Sequence, residues 1–246
     1  MIPTVIHYCW FGRGKKPKLA EKCIASWKKY CPDYEIIEWN EDNFDITKIP
    51  YIYEAYQVGK FAFVSDYARF DILYQHGGVY LDTDVEIVRP LDPILNKGAF
   101  MGCEIDPSPD VRIQVASGLG IAAEAGMEIY RKILDAYATR HFVLENGEYD
   151  STTVVTFITD ILLENGLKSV PGIQRVSGIT VYPAEYFNPF NDITGKISKT
   201  RNTYAIHWYA KSWLSSSESL RARIARPFHR VFGEDCFAWL KKEKKK

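Results

Sequence analysis

Nowhere do the 246 residues offer an apolar run approaching the ~20 positions a helix needs to cross a membrane. The opening MIPTVIHYCWFG also lacks a basic start and a sustained apolar stretch, so it reads as a first core strand and not as a signal peptide. Net charge is missing too. Thirty-one Lys and Arg balance 31 Asp and Glu, so no global field draws the chain to nucleic acid, and no nucleic-acid partner is expected. Cysteine is sparse: Cys9, Cys23, Cys31, Cys103 and Cys236 are odd in number and contain no CxxC pair. That pattern argues for reduced thiols in a cytoplasmic protein. Internal repeats and low-complexity linkers are absent, and residues 1–215 read as one domain followed by a basic appendix, 216–246.

What remains is an ordinary globular composition, 46% hydrophobic and 25% charged, long enough to bury a sizeable core. Ile2 to Trp10 is β-branched and aromatic and runs into Phe11-Gly12-Arg13-Gly14, a strand entering a glycine turn. Leu19, Cys23, Trp27 and Tyr30 then mark one face of a helix that Cys31-Pro32-Asp33 ends. Tyr34 to Trp39 reads as a second strand. A β-α-β opening of this kind implies a parallel pair in a layered α/β sheet. Lys60 to His76 is free of Gly and Pro and suits about four helical turns. Ser117-Gly118-Leu119-Gly120 is read as leading into a helix over Met127–Tyr137, Thr152–Leu163 as a buried segment of open type, and 179–182 and 203–207 as late strands.

After Gly77-Gly78, residues Val79 to Pro90 alternate strictly. In an extended chain Val79, Leu81, Thr83, Val85 and Ile87 face one way, and Tyr80, Asp82, Asp84 and Glu86 the other. Carboxylates two apart on a strand lie about 7 Å from one another and repel unless something positive sits between them. Hard oxygen ligands without a Cys or His set favour Mg²⁺ or Mn²⁺ over zinc, and such an ion would bind a diphosphate. The alternative is a solvated edge strand, which usually mixes Lys or Thr among its acids. Asp66 and Arg69 share a face of the preceding helix. Phe61, Phe63, Val64, Phe70, Ile72 and Leu73 around them predict a buried helix whose charged pair faces a polar cleft. His7 reads as a hydrogen-bonded strand residue. Asp150 reads as a helix N-cap or a cleft residue, and Asn188 and Asp192 as turn or acceptor-side residues.

The block FVSDYARFDILYQHGGVYLDTDVEI (63–87) closely resembles the DXD signature of the family 32 glycosyltransferases. IPTVIHYCWFG (2–12), SWKKYCPDYEIIEWN (26–40), PAEYFNP (183–189) and IHWYAKSW (206–213) resemble that family in the same order. The family includes bacterial capsular-polysaccharide and lipopolysaccharide sugar transferases and the yeast outer-chain initiating mannosyltransferase. The resemblance implies a GT-A type α/β fold, a Rossmann-like sheet flanked by helices. It also implies transfer of a hexosyl unit, with retention, from a nucleotide sugar to a hydroxyl of a glycan or lipid-linked oligosaccharide in surface polysaccharide synthesis. On the same basis Asp82, Asp84 and His207 are expected to hold Mn²⁺ or Mg²⁺. Asp66, Arg69 and Asp82 are expected in catalysis, and Trp10, Tyr80, Lys211, Ser212 and Trp213 on the nucleotide sugar. Lys211 stands where the family usually has a small residue. UDP-hexose is expected ahead of GDP-mannose, because Trp10 falls where related glucosylating toxins stack a tryptophan on uracil; the alternative is that Trp10 packs in the core.

Residues 211–246 hold ten Lys and Arg against four acids. Leu220 to Phe232 reads either as an interfacial helix on an anionic membrane or as a terminal helix packed on the domain. Two other functional classes share these features. One is a nucleotidyltransferase, whose phosphate loop FGRGKKPK (11–18) partly imitates; the other is a non-catalytic glycan-binding module.

Overall fold

The computed structural model describes residues 1–210, 226–230, 233 and 236. The expected β-α-β opening is present: β1 (Val5–Cys9), α1 (Lys18–Tyr30) and β2 (Glu35–Trp39), with β1 and β2 parallel. Next come α2 (Pro50–Gln57) and α3 (Phe61–His76). Then follow β3 (Gly78–Tyr80), β4 (Val85–Ile87), α4 (Asp92–Leu95), β5 (Phe100–Ile105), β6 (Gln114–Ala116) and β7 (Ile121–Ala123). The remaining elements are α5 (Glu128–Ala138), α6 (Val154–Glu164), β8 (Gln174–Val176), β9 (Ile179–Tyr182), β10 (Phe190–Asn191), β11 (Lys196–Ile197) and β12 (Ala205–His207).

Eight strands form the main sheet in the order β2-β1-β3-β7-β5-β9-β8, with β6 paired to β5. The pairings run β1, β2, β3, β5 and β9 in one direction and β6, β7 and β8 in the other. The carboxyl ends of β1, β3 and β5 therefore meet along one edge, with the loop that enters β7. Open α/β sheets bind ligands at such an edge. Strand alternation feeds two cores: Ile6, Tyr8 and Val79 pack with Cys23 and Trp27 of α1, while Cys9 and Tyr80 pack with Val64 and Ala68 of α3. The expected α/β sheet flanked by helices is thus observed.

One reading of the sequence fails here. Residues 79–90 are not one strand. The chain leaves the main sheet after Tyr80, turns at Thr83-Asp84 with the Val85 N–H donating to the Asp82 carbonyl at 3.0 Å, and resumes as β4 against β12 in a separate two-stranded sheet. Alternation survived the turn because β4 also has one buried face, with Val85 and Ile87 inward. Trp27 of α1 fixes that strand by donating its indole N–H to the Val85 carbonyl at 2.7 Å. Glu86 points away from the aspartates, bound by Lys22 at 2.8 Å and the Trp208 indole at 2.9 Å. Ser117–Gly120 leads first into β7, and the helix expected over Met127–Tyr137 follows as α5. Thr153, not Asp150, caps α6; Asp150 pairs with Arg140.

Residues 211–225 lie outside the described residues, and with them Lys211, Ser212 and Trp213, as does most of the 216–246 appendix. Within that appendix 226–230 is helical and rests on the β10–β11 hairpin: Arg226 pairs with Asp192 at 2.5 Å and Arg230 donates to the Gly195 carbonyl at 2.9 Å.

His7 is the structural residue its strand position predicts. It is 2% exposed, with Nε2 bonded to the Gly77 carbonyl at 3.0 Å and Nδ1 accepting from the Trp39 indole at 3.0 Å. Gly78 makes room for it, since a Cβ there would lie 2.9 Å from the Val5 carbonyl and 3.0 Å from His7 Nε2, at φ 100°. Burial lowers the His7 pKa from 6.5 to about 4. Between those values the unfolded chain takes up a proton that the folded chain refuses, so acidification favours unfolding across that window. The stability at stake is about 3 kcal/mol, fully present above pH 6.5 and lost by about pH 4. Urea unfolding of His7→Gln at pH 7 and pH 4.5 is expected to show a markedly flatter pH dependence than wild type; an unchanged slope contradicts this assignment.

Candidate active site

The functional edge is built from α3 outward. Nine of its residues, Val64 and Asp66 to Leu73, are buried, Asp66 and Arg69 among them. Arg69, 3% exposed, joins three elements. Its Nη2 reaches Asp66 Oδ1 at 3.0 Å and Asp82 Oδ1 at 3.2 Å, its Nη1 donates to Ser117 Oγ at 2.9 Å, and its Nε donates to the Ser65 carbonyl at 3.1 Å. Burial raises the Asp66 pKa to about 6 against the opposing pull of Arg69. Asp82 is also pushed above the usual carboxylate range by burial, with Arg69 acting against that rise and the neighbouring Asp84 adding to it.

Tyr80 corrects an expectation. It is 1% exposed and cannot line an open donor pocket as it stands. Its ring packs under the Arg69 guanidinium at 5.1 Å, and its hydroxyl donates to Asp82 Oδ1 at 3.0 Å. Its effect on any ligand passes through those two side chains.

The turn at Thr83-Asp84 brings both aspartates to one corner, and β12 delivers His207 to the same place by pairing opposite Val85. Ligand atoms of Asp82, Asp84 and His207 all lie within 4.8 Å of one another. His207 Nε2 is 3.2 Å from Asp84 Oδ1, and the Ala210 N–H donates to Asp84 Oδ2 at 2.8 Å. Burial opposes ionisation of Asp84, but His207 and the Ala210 N–H outweigh it and hold the carboxyl below its usual range. Burial likewise acts against a charged His207, and Asp84 more than compensates, raising its pKa. Among the described residues no hydrogen-bond partner meets the buried His207 Nδ1. Two carboxylates, an imidazole with unspent bonding capacity and a mutual spacing of this size suit a hard divalent cation such as Mn²⁺ or Mg²⁺.

Several contributors went unread in the sequence. Tyr209 sits at φ 50°, an uncommon conformation for a non-glycine residue. The bend sets its ring, tilted by 56°, 4.2 Å from that of His207 and turns the Ala210 N–H toward Asp84. Its hydroxyl donates to Glu104 Oε1 at 3.1 Å and accepts from Asn188 Nδ2 at 2.7 Å, so β5 and the loop after β9 brace the His207 side of the corner. Gly118 packs flat against Asp82, where a Cβ would lie 2.1 Å from Oδ2 and 3.4 Å from Arg69 Nη1. Gly118→Ala must displace Asp82, and the expected result is a ten- to hundredfold weaker Mn²⁺ affinity by calorimetric titration with near wild-type melting. Wild-type affinity would remove Gly118 from the site.

Trp10 follows β1 on the same edge. It is half-buried and lines a cavity of about 250 Å³ with Arg13, Gly14, Lys16, Glu38, Asn40 and Glu41. Its indole N–H donates to the Gly14 carbonyl at 2.6 Å. Its ring thus stands beside a cleft on one side and packs on the core near α1 on the other.

Residues 17–101 match the model of the glycosyltransferase sugar-binding region containing the DXD motif. The matched segment holds Asp66, Arg69, Tyr80, Asp82 and Asp84, while Gly118 and His207 lie beyond it. The chain is 34% identical over 108 residues to inositol phosphoceramide mannosyltransferase 3 of Schizosaccharomyces pombe, covering 41% of this chain and 29% of that protein. It is 26% identical over 260 residues to the initiation-specific alpha-1,6-mannosyltransferase of Candida albicans, covering 80% of this chain and 67% of that one. The chain thus spans less than a third of the length of the first of these relatives. The expectation of a bacterial capsular type meets fungal mannosyltransferases in both. Among solved structures, PaToxG glycosyltransferase aligns with a TM-score of 0.49 at 18% identity, covering 66% of this chain and 69% of its own. Galactosyltransferase LgtC, in complex with donor and acceptor sugar analogues, aligns at 0.46 and 12%, covering 89% and 93%.

Proposed function

We propose that this chain is a metal-dependent glycosyltransferase that moves a hexosyl unit, by analogy with the fungal relatives a mannosyl unit, from a nucleoside diphosphate sugar to a hydroxyl of a glycan or lipid-linked acceptor, with retention. The observation that carries the reading is the convergence of Asp82, Asp84 and His207 within 4.8 Å beside the buried Arg69 cluster. The DXD-region match over 17–101 supports it independently.

In this reading Asp82, Asp84 and His207 hold a divalent cation, which supplies positive charge against the diphosphate as it leaves. Arg69 favours the ionised form of the two buried carboxylates beside it, against burial and their mutual repulsion, and adds its own field to the corner where negative charge grows. Asp66, fixed by Arg69, orients the donor sugar. Tyr80 and Gly118 set the position of Asp82, Ser117 that of Arg69, and Tyr209 with Ala210 that of His207 and Asp84. A low-dielectric pocket already arranged in this way need not reorganise as the glycosidic bond breaks.

A panel of nucleotide sugars, with and without Mn²⁺, tests the proposal by its products. Mn²⁺-dependent release of a free nucleoside diphosphate is expected. Pyrophosphate release would make the chain a nucleotidyltransferase instead, and the absence of both turnover and metal-dependent nucleotide binding would leave a non-catalytic binding module.

A further inference from the structure

The cavity beside Trp10 carries a second choice, that of nucleobase. It lies at the carboxyl ends of β1 and β2, one strand over from the Asp82 corner, and neighbouring strands are about 5 Å apart, a separation that a ribose and diphosphate span easily. Two carboxylates line it, and they differ. Glu38 is spent: its Oε2 accepts from Tyr8 at 2.5 Å and pairs with Lys16 at 2.5 Å, and its Oε1 accepts from Asn40 Nδ2 at 3.4 Å. Glu41 is anchored through one oxygen only. Its Oε1 accepts from the Gly12 N–H at 2.6 Å and the Tyr56 hydroxyl at 3.0 Å. Among the described residues no donor reaches its buried Oε2.

A buried carboxylate oxygen with both lone pairs open is costly unless a ligand donor meets it. Nucleobases differ in what they can bring. Guanine presents two adjacent donors, N1–H and the exocyclic amino group. Uracil presents one N–H flanked by two carbonyl oxygens, which a carboxylate repels. Adenine and cytosine each set a bare ring nitrogen beside their amino group. Guanine alone brings two donors to the one open oxygen of Glu41, and its O6 acceptor has a counterpart in the Lys16 ammonium, which lies 5.6 Å from the Trp10 ring centroid and keeps donors beyond the one it gives Glu38.

We infer that Glu41 reads the base of the sugar nucleotide and selects guanine, with Trp10 offering the stacking face and Lys16 the donor to O6. The inference rests on the nucleotide-sugar reading and reverses the expectation of UDP drawn from Trp10 alone. A tryptophan face accepts any flat base; the carboxylate beside it does not.

Calorimetric titration of the full chain with Mn²⁺ and GDP, IDP or UDP tests this. GDP is expected to bind at least about tenfold more tightly than UDP, and IDP, which lacks only the amino group, several-fold more weakly than GDP. Glu41→Gln keeps an oxygen for Gly12 and Tyr56 but turns an N–H toward the base, so it is expected to weaken GDP, to remove the repulsion against the uracil carbonyls, and so to close the gap between GDP and UDP. Equal or tighter UDP binding by wild type, IDP equal to GDP, or a GDP preference that survives Glu41→Gln in a folded variant overturns the inference. The IDP comparison uses wild type and stands even if the variant fails to fold. If none of the three nucleotides binds with Mn²⁺, the nucleotide-sugar reading itself falls, a result distinct from binding without base preference.

Discussion

Asp84→Asn is expected to cut sugar-nucleotide turnover by at least about a hundredfold at saturating Mn²⁺ while leaving the circular dichroism spectrum unchanged. The reasoning is one of charge at constant shape. Asparagine keeps a carbonyl oxygen for the Ala210 N–H, which Asp84 now binds at 2.8 Å, and so preserves the turn between β3 and β4. It supplies neither the negative charge that a cation needs nor the partner that raises the His207 pKa from 3.2 Å away. Both losses fall on the same corner, so binding of the metal and placement of the leaving diphosphate fail together. Steady-state kinetics across a Mn²⁺ series decide the matter: full activity in the variant removes Asp84 from the chemistry.

Arg69→Met is expected to cost about 3–5 kcal/mol of folding stability as well as activity. Methionine fills much of the volume but leaves Asp66 and Asp82, at 3.0 and 3.2 Å from the guanidinium, with no counter-charge in a buried site. Even with Arg69 present, burial holds Asp66 at about 6. Without it, both carboxyls would take up protons in the folded state that the unfolded chain releases, so stability must decline as pH rises from the unfolded carboxylate value through the folded one. The variant should therefore be less damaged at pH 5 than at pH 8, and Asp66→Asn in the same chain should restore part of the loss. Urea unfolding at the two pH values measures both effects. A pH-independent cost below about 1 kcal/mol would mean the two aspartates do not depend on Arg69.

Much of this architecture is written in local pattern. The helix α1 follows its Leu19, Cys23, Trp27, Tyr30 stripe, α3 follows its unbroken run to His76, and β1 and β2 follow their β-branched stretches. The acidic pair and the Asp66–Arg69 pair were legible because buried charge needs compensation. The turn at Thr83-Asp84 was not, since the alternation of residue types in the sequence runs unbroken across it, and only pairing of β4 with β12, more than a hundred residues apart, ends the first strand. Gly118 and Ser117 were hidden for a related reason: their part in the site is close approach to Asp82 and Arg69 across the sheet, which no spacing along the chain encodes. Tyr80 was expected on the donor from the family resemblance, whereas its neighbour in space is the Arg69 guanidinium. Glu41 carried no motif. Its distinction appears only when its two oxygens are followed separately to their partners.

Pulsed electron paramagnetic resonance of Mn²⁺ added with a nucleoside diphosphate addresses the central claim most directly, because it reports the atoms around the ion. The account predicts one bound Mn²⁺ per chain with a nitrogen modulation that disappears in His207→Gln, and loss of the bound signal in Asp84→Asn. A bound ion without a nitrogen neighbour, or one that persists unchanged in both variants, would place the metal elsewhere and contradict the account.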